Sequence, residues 1–196
     1  MSSATGATVG PATPVRYSAA RTRIITAALE LFGQHGVSGT SLQMIADAIG
    51  VTKAAVYHQF NTKNEIVIAV AEVELARLEA ALDAAEAEEG SLQAREVLLA
   101  QVIDLAVERR GMTSVLQTDP VMVRFLAEHE PFQQLMDRLF AVLIGAGADA
   151  EARVPAAMAA GAIGGAAVHP LVKDLDDETL RRHLLHLARR LFQLPD

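Results

Sequence analysis

Four side chains able to donate to a polyanion fall within seven positions of this sequence: Lys53, Tyr57, His58 and Gln59, spaced by the small residues Ala54 and Ala55. On a helix, a lysine at position 53 can donate to guanine O6 and N7, and an alanine such as Ala55 can pack on a thymine methyl. Tyr57, His58 and, a few residues on, Lys63 are placed to hold phosphates, which fixes register without reading bases. Ser41 reads as a helix cap whose hydroxyl and neighbouring amides can also face a phosphate. Each residue has a plainer reading as well: Tyr57 as the edge of a core, His58 as ordinary surface, Lys63 as a solvated residue in the first turn of a helix.

That chemistry needs two short helices to carry it. Residues 41–60 read SLQMIADAIGVTKAAVYHQF. Ser41 opens one helix, Gly50 breaks it, and Thr52 caps a second that runs through Gln59. A steep crossing requires a small residue where the backbones touch and a glycine at the turn, which Ala46 and Gly50 supply. Ile45, Ile49, Val51 and Val56 fall where the pair would bury side chains against a preceding helix made of Ile24, Ile25, Ala28, Leu29, Leu31 and Phe32. This pattern is that of a helix-turn-helix, whose second helix lies in the major groove; the alternative is an ordinary helical hairpin.

Elsewhere apolar residues recur at three and four, and no stretch alternates long enough for a strand, so the chain reads as all-α. The first helix is expected to stop at Gly33 to Gly36. A long helix follows from about Thr62 to Glu88, and Gly90 and Ser91 should end it and cap the next, which closes near Arg109-Arg110-Gly111. A short helical turn covers Met112 to Gln117. Helices then start at Asp119-Pro120 and after Pro131, followed by an Ala/Gly-rich helix and a last one from Asp177 to Gln193. Residues 1–18 are expected to form a disordered tail, since they hold almost no large apolar side chains. Residues 19–66 form the helix-turn-helix domain, and 67–196 an all-helical domain.

The total charge is −7, which argues against a uniformly basic nucleic-acid binder. Its distribution argues otherwise: residues 1–66 hold five basic and three acidic side chains, net +2, and residues 67–196 hold twelve and twenty-one, net −9. With no cysteine in the 196 residues, a disulfide framework, a thiolate zinc site and a cysteine nucleophile are excluded. The segment 154–172 is uncharged, but ten of its nineteen residues are Ala or Gly and two are Pro. It is expected to be a tightly packed helix of a soluble, cytoplasmic protein rather than a membrane span.

Ala27 to Phe32, Gly36, Thr40-Ser41, Ile45-Ala46, Gly50-Val51, Val56-Tyr57, Phe60 and Lys63 together resemble the TetR/AcrR family of bacterial regulators, over roughly residues 19–66. The resemblance implies an Ω-shaped, all-α homodimer that represses by occupying a palindromic operator and releases it when a small molecule fills the C-terminal domain. By position it adds Gln43 to a DNA-facing set of Ser41, Thr52, Lys53, Ala55, Tyr57, His58 and Lys63. Many members carry Gly where Ala54 stands and a second His where Gln59 stands, which leaves the operator sequence open.

The same resemblance implies that the last two long helices pair with their copies. The residues agree. Ala157, Gly161 and Gly165 fall four apart and permit close approach, while Leu180, Leu184, Leu187 and Leu191 line the final helix; Ala157, Gly161, Gly165, Leu184, Leu187 and Leu191 are the expected dimer contacts. A mainly apolar effector is assigned to the densest Met/Phe region: Met112, Leu116, Met122, Phe125, Phe132, Met136 and Phe140, with Arg109 and His129 as polar contacts. Core packing, and favourable charge at a helix C-terminus for Arg109, are the competing explanations. His183 and His186 lack a third ligand at metal spacing. The run Gly145-Ala146-Gly147-Ala148-Asp149-Ala150 imitates a dinucleotide fingerprint but follows a helix instead of a strand. No catalytic motif, metal or cofactor is expected. A helical enzyme or small-molecule-binding protein without DNA affinity is the competing function.

Overall fold

The computed structural model describes residues 17–194. Ten α-helices are found among them: α1 (Ala19–Gly39), α2 (Leu42–Ala48), α3 (Lys53–Gln59), α4 (Lys63–Glu86), α5 (Ser91–Glu108), α6 (Arg110–Thr118), α7 (Pro120–Glu128), α8 (Glu130–Ile144), α9 (Ala150–Ala167) and α10 (Asp177–Leu191), with a 3₁₀ turn at Pro170–Val172. Of the expected tail, residues 1–16 lie outside the described residues. Tyr17 and Ser18 are held: Tyr17 donates its hydroxyl to Glu72, and Ser18 caps α1 by accepting from the Arg21 amide.

Side-chain caps set most of the breaks. Ser41, Thr52 and Thr62 accept from the amides three residues on, at 3.1–3.2 Å, and Asp119, Asp149 and Asp176 do the same for α7, α9 and α10. Each satisfies an amide that the helix itself leaves unpaired, for about 1 kcal/mol. At the start of α4 the Glu65 carboxylate also reaches back to the Asn61 amide at 3.0 Å.

Four boundaries differ from the sequence reading. The first helix runs on through Gly33, breaks at Gly36 (φ 72°) and adds one more turn to Gly39. Gly33 stays helical because α6 crosses there: a Cβ on Gly33 would stand 3.3 Å from the backbone of Gly111, and one on Gly111 only 3.1 Å from the Gly33 carbonyl. Two glycines are what let these helices touch. Ser91 does not cap α5; Gly90 precedes the helix with no side-chain bond. The expected turn at 112–117 is a nine-residue helix, and α10 ends at Leu191, short of Gln193.

Two apolar cores result. The first joins Ile24, Ala28, Phe32, Ile45, Ala46, Val56, Phe60, Ile66 and Val70 to Met112, Val115, Met122 and Leu126. It therefore crosses the boundary drawn after residue 66, and α6 and α7 pack directly on the helix-turn-helix. The second lies among α4, α5, α8, α9 and α10, around Leu82, Leu98, Ile103, Leu139, Ile163 and Leu180. Asp119 ties the two parts at one carboxylate: Oδ1 accepts from the Val121 amide at the start of α7, and Oδ2 from the Val37 amide beyond the α1 kink at 2.8 Å. Among the described residues no helix is long and apolar enough to cross a membrane.

Candidate nucleic-acid interface

The α2–α3 pair meets at Gly50, whose φ of 68° lies where only glycine is unstrained. The Val51 amide donates back to the Ala46 carbonyl at 3.0 Å, and Ala46 and Ile45 are fully buried. The turn is thus closed by a hydrogen bond and seated on α1. Val56 is the one residue of α3 that is buried, with Phe60 following directly after the helix. Everything else on α3 faces outward or lies at the edge.

Lys53, Ala54, Ala55, Tyr57 and His58 are all exposed, as are Ser41, Gln43 and Thr52 on the approach to each helix; Lys63 is half-buried. Tyr57 is 45% exposed, which places it outside the core. The Lys53 ammonium lies 5.8 Å from the Tyr57 ring centroid, one helical turn away, an attraction that holds the two side chains together on the outer face. Ser41 and Thr52 use their oxygens as caps, yet each hydroxyl hydrogen stays available to donate. Gln43 is less free, because its amide donates to Asp47 Oδ1 at 2.7 Å. The sequence-derived set on α2, α3 and the start of α4 is therefore solvent-facing, apart from the half-buried Lys63.

Two residues of this region went unnoticed in the sequence. From α1, the Arg21 guanidinium donates twice to the Gln59 carbonyl, from Nε at 3.1 Å and Nη2 at 2.9 Å, and lies 4.6 Å from the Phe60 ring centroid. Arg23 Nη2 donates to the Ile49 carbonyl at 2.9 Å. No spacing in the chain connects residues 26 or 38 apart, so no sequence signal marks these contacts.

Within this geometry, residues 24–70 match the family described as bacterial regulatory proteins, tetR family. The family likeness in sequence lies in this N-terminal stretch, about a quarter of the chain. Its relatives include the transcriptional repressor AcnR of Corynebacterium diphtheriae, 27% identical over 112 residues, and the transcriptional regulator SrpR of Pseudomonas putida, 54% identical over 50 residues. These matches take in 56% and 26% of this chain, and 57% and 24% of the relatives, so the chain spans about half the length of the first and a quarter of the second. The fold is shared further. A TetR-like transcriptional regulator from Rhodococcus sp. RHA1 superposes with a TM-score of 0.70 at 19% identity, covering 90% of this chain and 97% of the other. The fatty acid degradation regulator FadR from Bacillus halodurans gives 0.66 at 17% identity, covering 89% and 96%.

The body of the chain places the residues of the expected ligand pocket in more than one location. Met112 and Met122 are buried in the first core, with Leu116, Phe125 and Phe132 packed partly against it. Met136 and Phe140 pack against the second core instead. Arg109 pairs with Glu74 at 3.0 Å, and His129 stacks on Phe125 with centroids 4.8 Å apart. The apolar members of the set thus divide between the two cores. Most of the Met/Phe concentration is the filling between the helix-turn-helix and the body, where flexible methionines suit an irregular seam. A cleft of about 910 Å³ opens between α8 and α9; of the expected set only Phe140 lines it, beside Asp137, Ile144, Arg153 and Val154.

On α9 and α10 the expected contact residues divide. Ala157 and Gly161 are exposed and Gly165 half-buried, and a Cβ on either glycine would meet nothing within 4 Å. Leu187 and Leu191 are 54% and 44% exposed. Leu184, like Leu180, turns inward and is only 7% exposed; it floors an apolar groove of about 460 Å³ between the two helices. Heptad-like leucine spacing on α10 thus serves two sides, one core and one surface. No group of three or more metal-ligating side chains occurs among the described residues, and His183 and His186 both lie exposed.

Proposed function

We propose that this protein is a cytoplasmic, homodimeric transcriptional repressor that occupies a palindromic operator and is released from it by a small, mainly apolar effector. The observation that carries the DNA-binding part is the outer face of α3. A helix that contributes a single buried residue presents Lys53, Ala55, Tyr57 and His58 together, without an acidic residue on the helix. The +2 balance of residues 1–66 favours approach to a duplex, and at physiological salt the −9 of the remainder is screened beyond about 8 Å. Lys53 and Ala55 read base edges; Tyr57, His58, Lys63 and the Ser41 and Thr52 hydroxyls hold phosphates. Gln43 joins them by exchanging Asp47 for DNA.

Dimerisation is supported by the apolar surface of α9 and α10, where Val154, Met158, Leu187 and Leu191 are exposed beside the small residues Ala157 and Gly161. A dimer places two recognition helices about 34–36 Å apart for successive major grooves. The cleft between α8 and α9 is the best-supported effector site: its walls include Phe140, Ile144 and Val154, with Arg153 and Asp137 to orient a polar group. Footprinting on genomic fragments, including the protein's own promoter, tests the central reading. A protected two-fold symmetric site is the expected result, and absence of any footprint at low salt refutes it. Release of that site by apolar small molecules, lost in Phe140→Ala, tests the effector part.

A further inference from the structure

A seven-residue helix held to its neighbours by one buried side chain has a pivot but no fixed direction. Val56 is that pivot in α3, and Thr52 caps the N-terminal end. An isolated helix of this length is marginal in water, so its C-terminal end needs its own restraint. Arg21 provides one. Its two bonds to the Gln59 carbonyl satisfy a group that the helix leaves unpaired, and they put a positive charge at the negative end of the helix. The Phe60 ring, buried immediately after the helix, lies against the guanidinium at 4.6 Å. A planar donor set stacked on a fixed ring defines an orientation as well as a distance. Behind it, the Tyr17 ring centroid is 5.9 Å from the same guanidinium, and the Tyr17 hydroxyl donates to Glu72 on α4. The C-terminal end of α3 is thereby referenced to α1 and α4 together.

We infer that Arg21 is a positioning residue for operator reading: through the Gln59 carbonyl and the Phe60 ring it sets the direction of α3, and so aligns Lys53 and Ala55 with base edges, without itself touching DNA. The inference rests on α3 being the recognition helix. Misdirection of α3 costs base contacts but leaves the positive charges of the head in place. Specific binding therefore falls while non-specific binding does not.

The test uses the full-length protein, the operator found by footprinting and a random duplex of equal length, with dissociation constants measured across a salt series. Arg21→Ala should weaken operator binding by about tenfold or more, the scale of one lost base contact. It should leave random-duplex binding within about twofold and the salt slope unchanged. Arg21→Lys keeps the charge but lacks the planar pair of donors, and should restore little of the loss. A salt slope flattened by about 0.9, with both duplexes weakened alike and lysine rescuing, makes Arg21 a phosphate contact and overturns the inference. A constant operator-to-random ratio in both variants overturns it too, whatever their melting temperatures. Should Arg21→Ala fail to fold, Arg21→Gln, which retains most of the stem, carries the same ratio measurement. If the wild-type protein shows no site preference on any fragment, the operator reading itself fails; a preference that survives both substitutions sinks only the role of Arg21.

Discussion

Two surfaces of this protein face outward with opposite chemistry. On α3 the outward residues are Lys53, Tyr57 and His58 among alanines; on α9 and α10 they are Val154, Met158, Leu187 and Leu191. The first surface is satisfied by water when it has no partner. The second leaves apolar area in water, at about 25 cal/mol per Å², and gains only by being covered. Attachment through α3 is therefore expected to be reversible and salt-dependent, and attachment through α9 and α10 persistent and nearly salt-independent. The difference teaches that exposure alone does not identify a binding face; what the exposed atoms lose in water decides which kind of partner fits.

The largest effect should come from spoiling the apolar face. Gly161→Leu has room within its own chain, since a Cβ there meets nothing within 4 Å, so the monomer should melt normally while sedimentation shows the dimer lost. An unaltered mass would remove α9 from the interface. Next in size is the tie that makes the two surfaces parts of one body. Asp119→Ala removes the α7 cap and leaves the Val37 amide without its acceptor, for about 2–4 kcal/mol by chemical denaturation. A loss under about 1 kcal/mol would mean that water replaces the carboxylate at no cost.

A smaller effect is expected on the polar face. Lys63→Ala should flatten the dependence of log K on log salt by about one unit, and Tyr57→Ala should weaken every operator variant alike; a change in base preference in either would move that residue from phosphate contact to base readout. The smallest concerns Glu74, away from both faces. Burial raises its carboxyl above the ordinary value, against the pull of Arg109 and Arg77. For a raised acid the charged form is the one the fold disfavours, so the wild-type chain bears a penalty at neutral pH that fades as pH falls through the folded pKa. Glu74→Gln should melt at or above wild type at neutral pH and lose that advantage on acidification. Melting below wild type at neutral pH would show that the ion pair with Arg109 outweighs desolvation.

Local features were readable from the chain. Ser41, Thr52, Asp119 and the Gly50 turn announce helix ends through bonds made within three residues, and α2 and α3 fall where those residues put them. Side chains that packing sorts were not readable. The Met/Phe concentration has the composition of a ligand pocket and of a seam between two parts of a fold; it proves mostly to be the seam because α6 and α7 lie on α1. Leu184 and Leu187 look alike in the sequence, yet one is core and the other surface, since the position of α5 selects which side of α10 is covered. Gly33 reads as a helix stop until Gly111 is found against it.

Composition, spacing and capping chemistry determined that the chain is all-α, that a helix-turn-helix occupies residues 41–60, and that the outward residues of its second helix suit nucleic acid. Those properties follow from interactions between residues a few positions apart, which the sequence states outright. Tertiary structure alone decided that this motif shares a core with α6 and α7, that Asp119 joins the two parts, and that Arg21 and Arg23 hold the carbonyl ends of α3 and α2. The hydrogen bonds of Arg23, Arg21 and Asp119 link residues 26, 38 and 82 positions apart, and only the folded chain brings such distant groups within hydrogen-bonding distance.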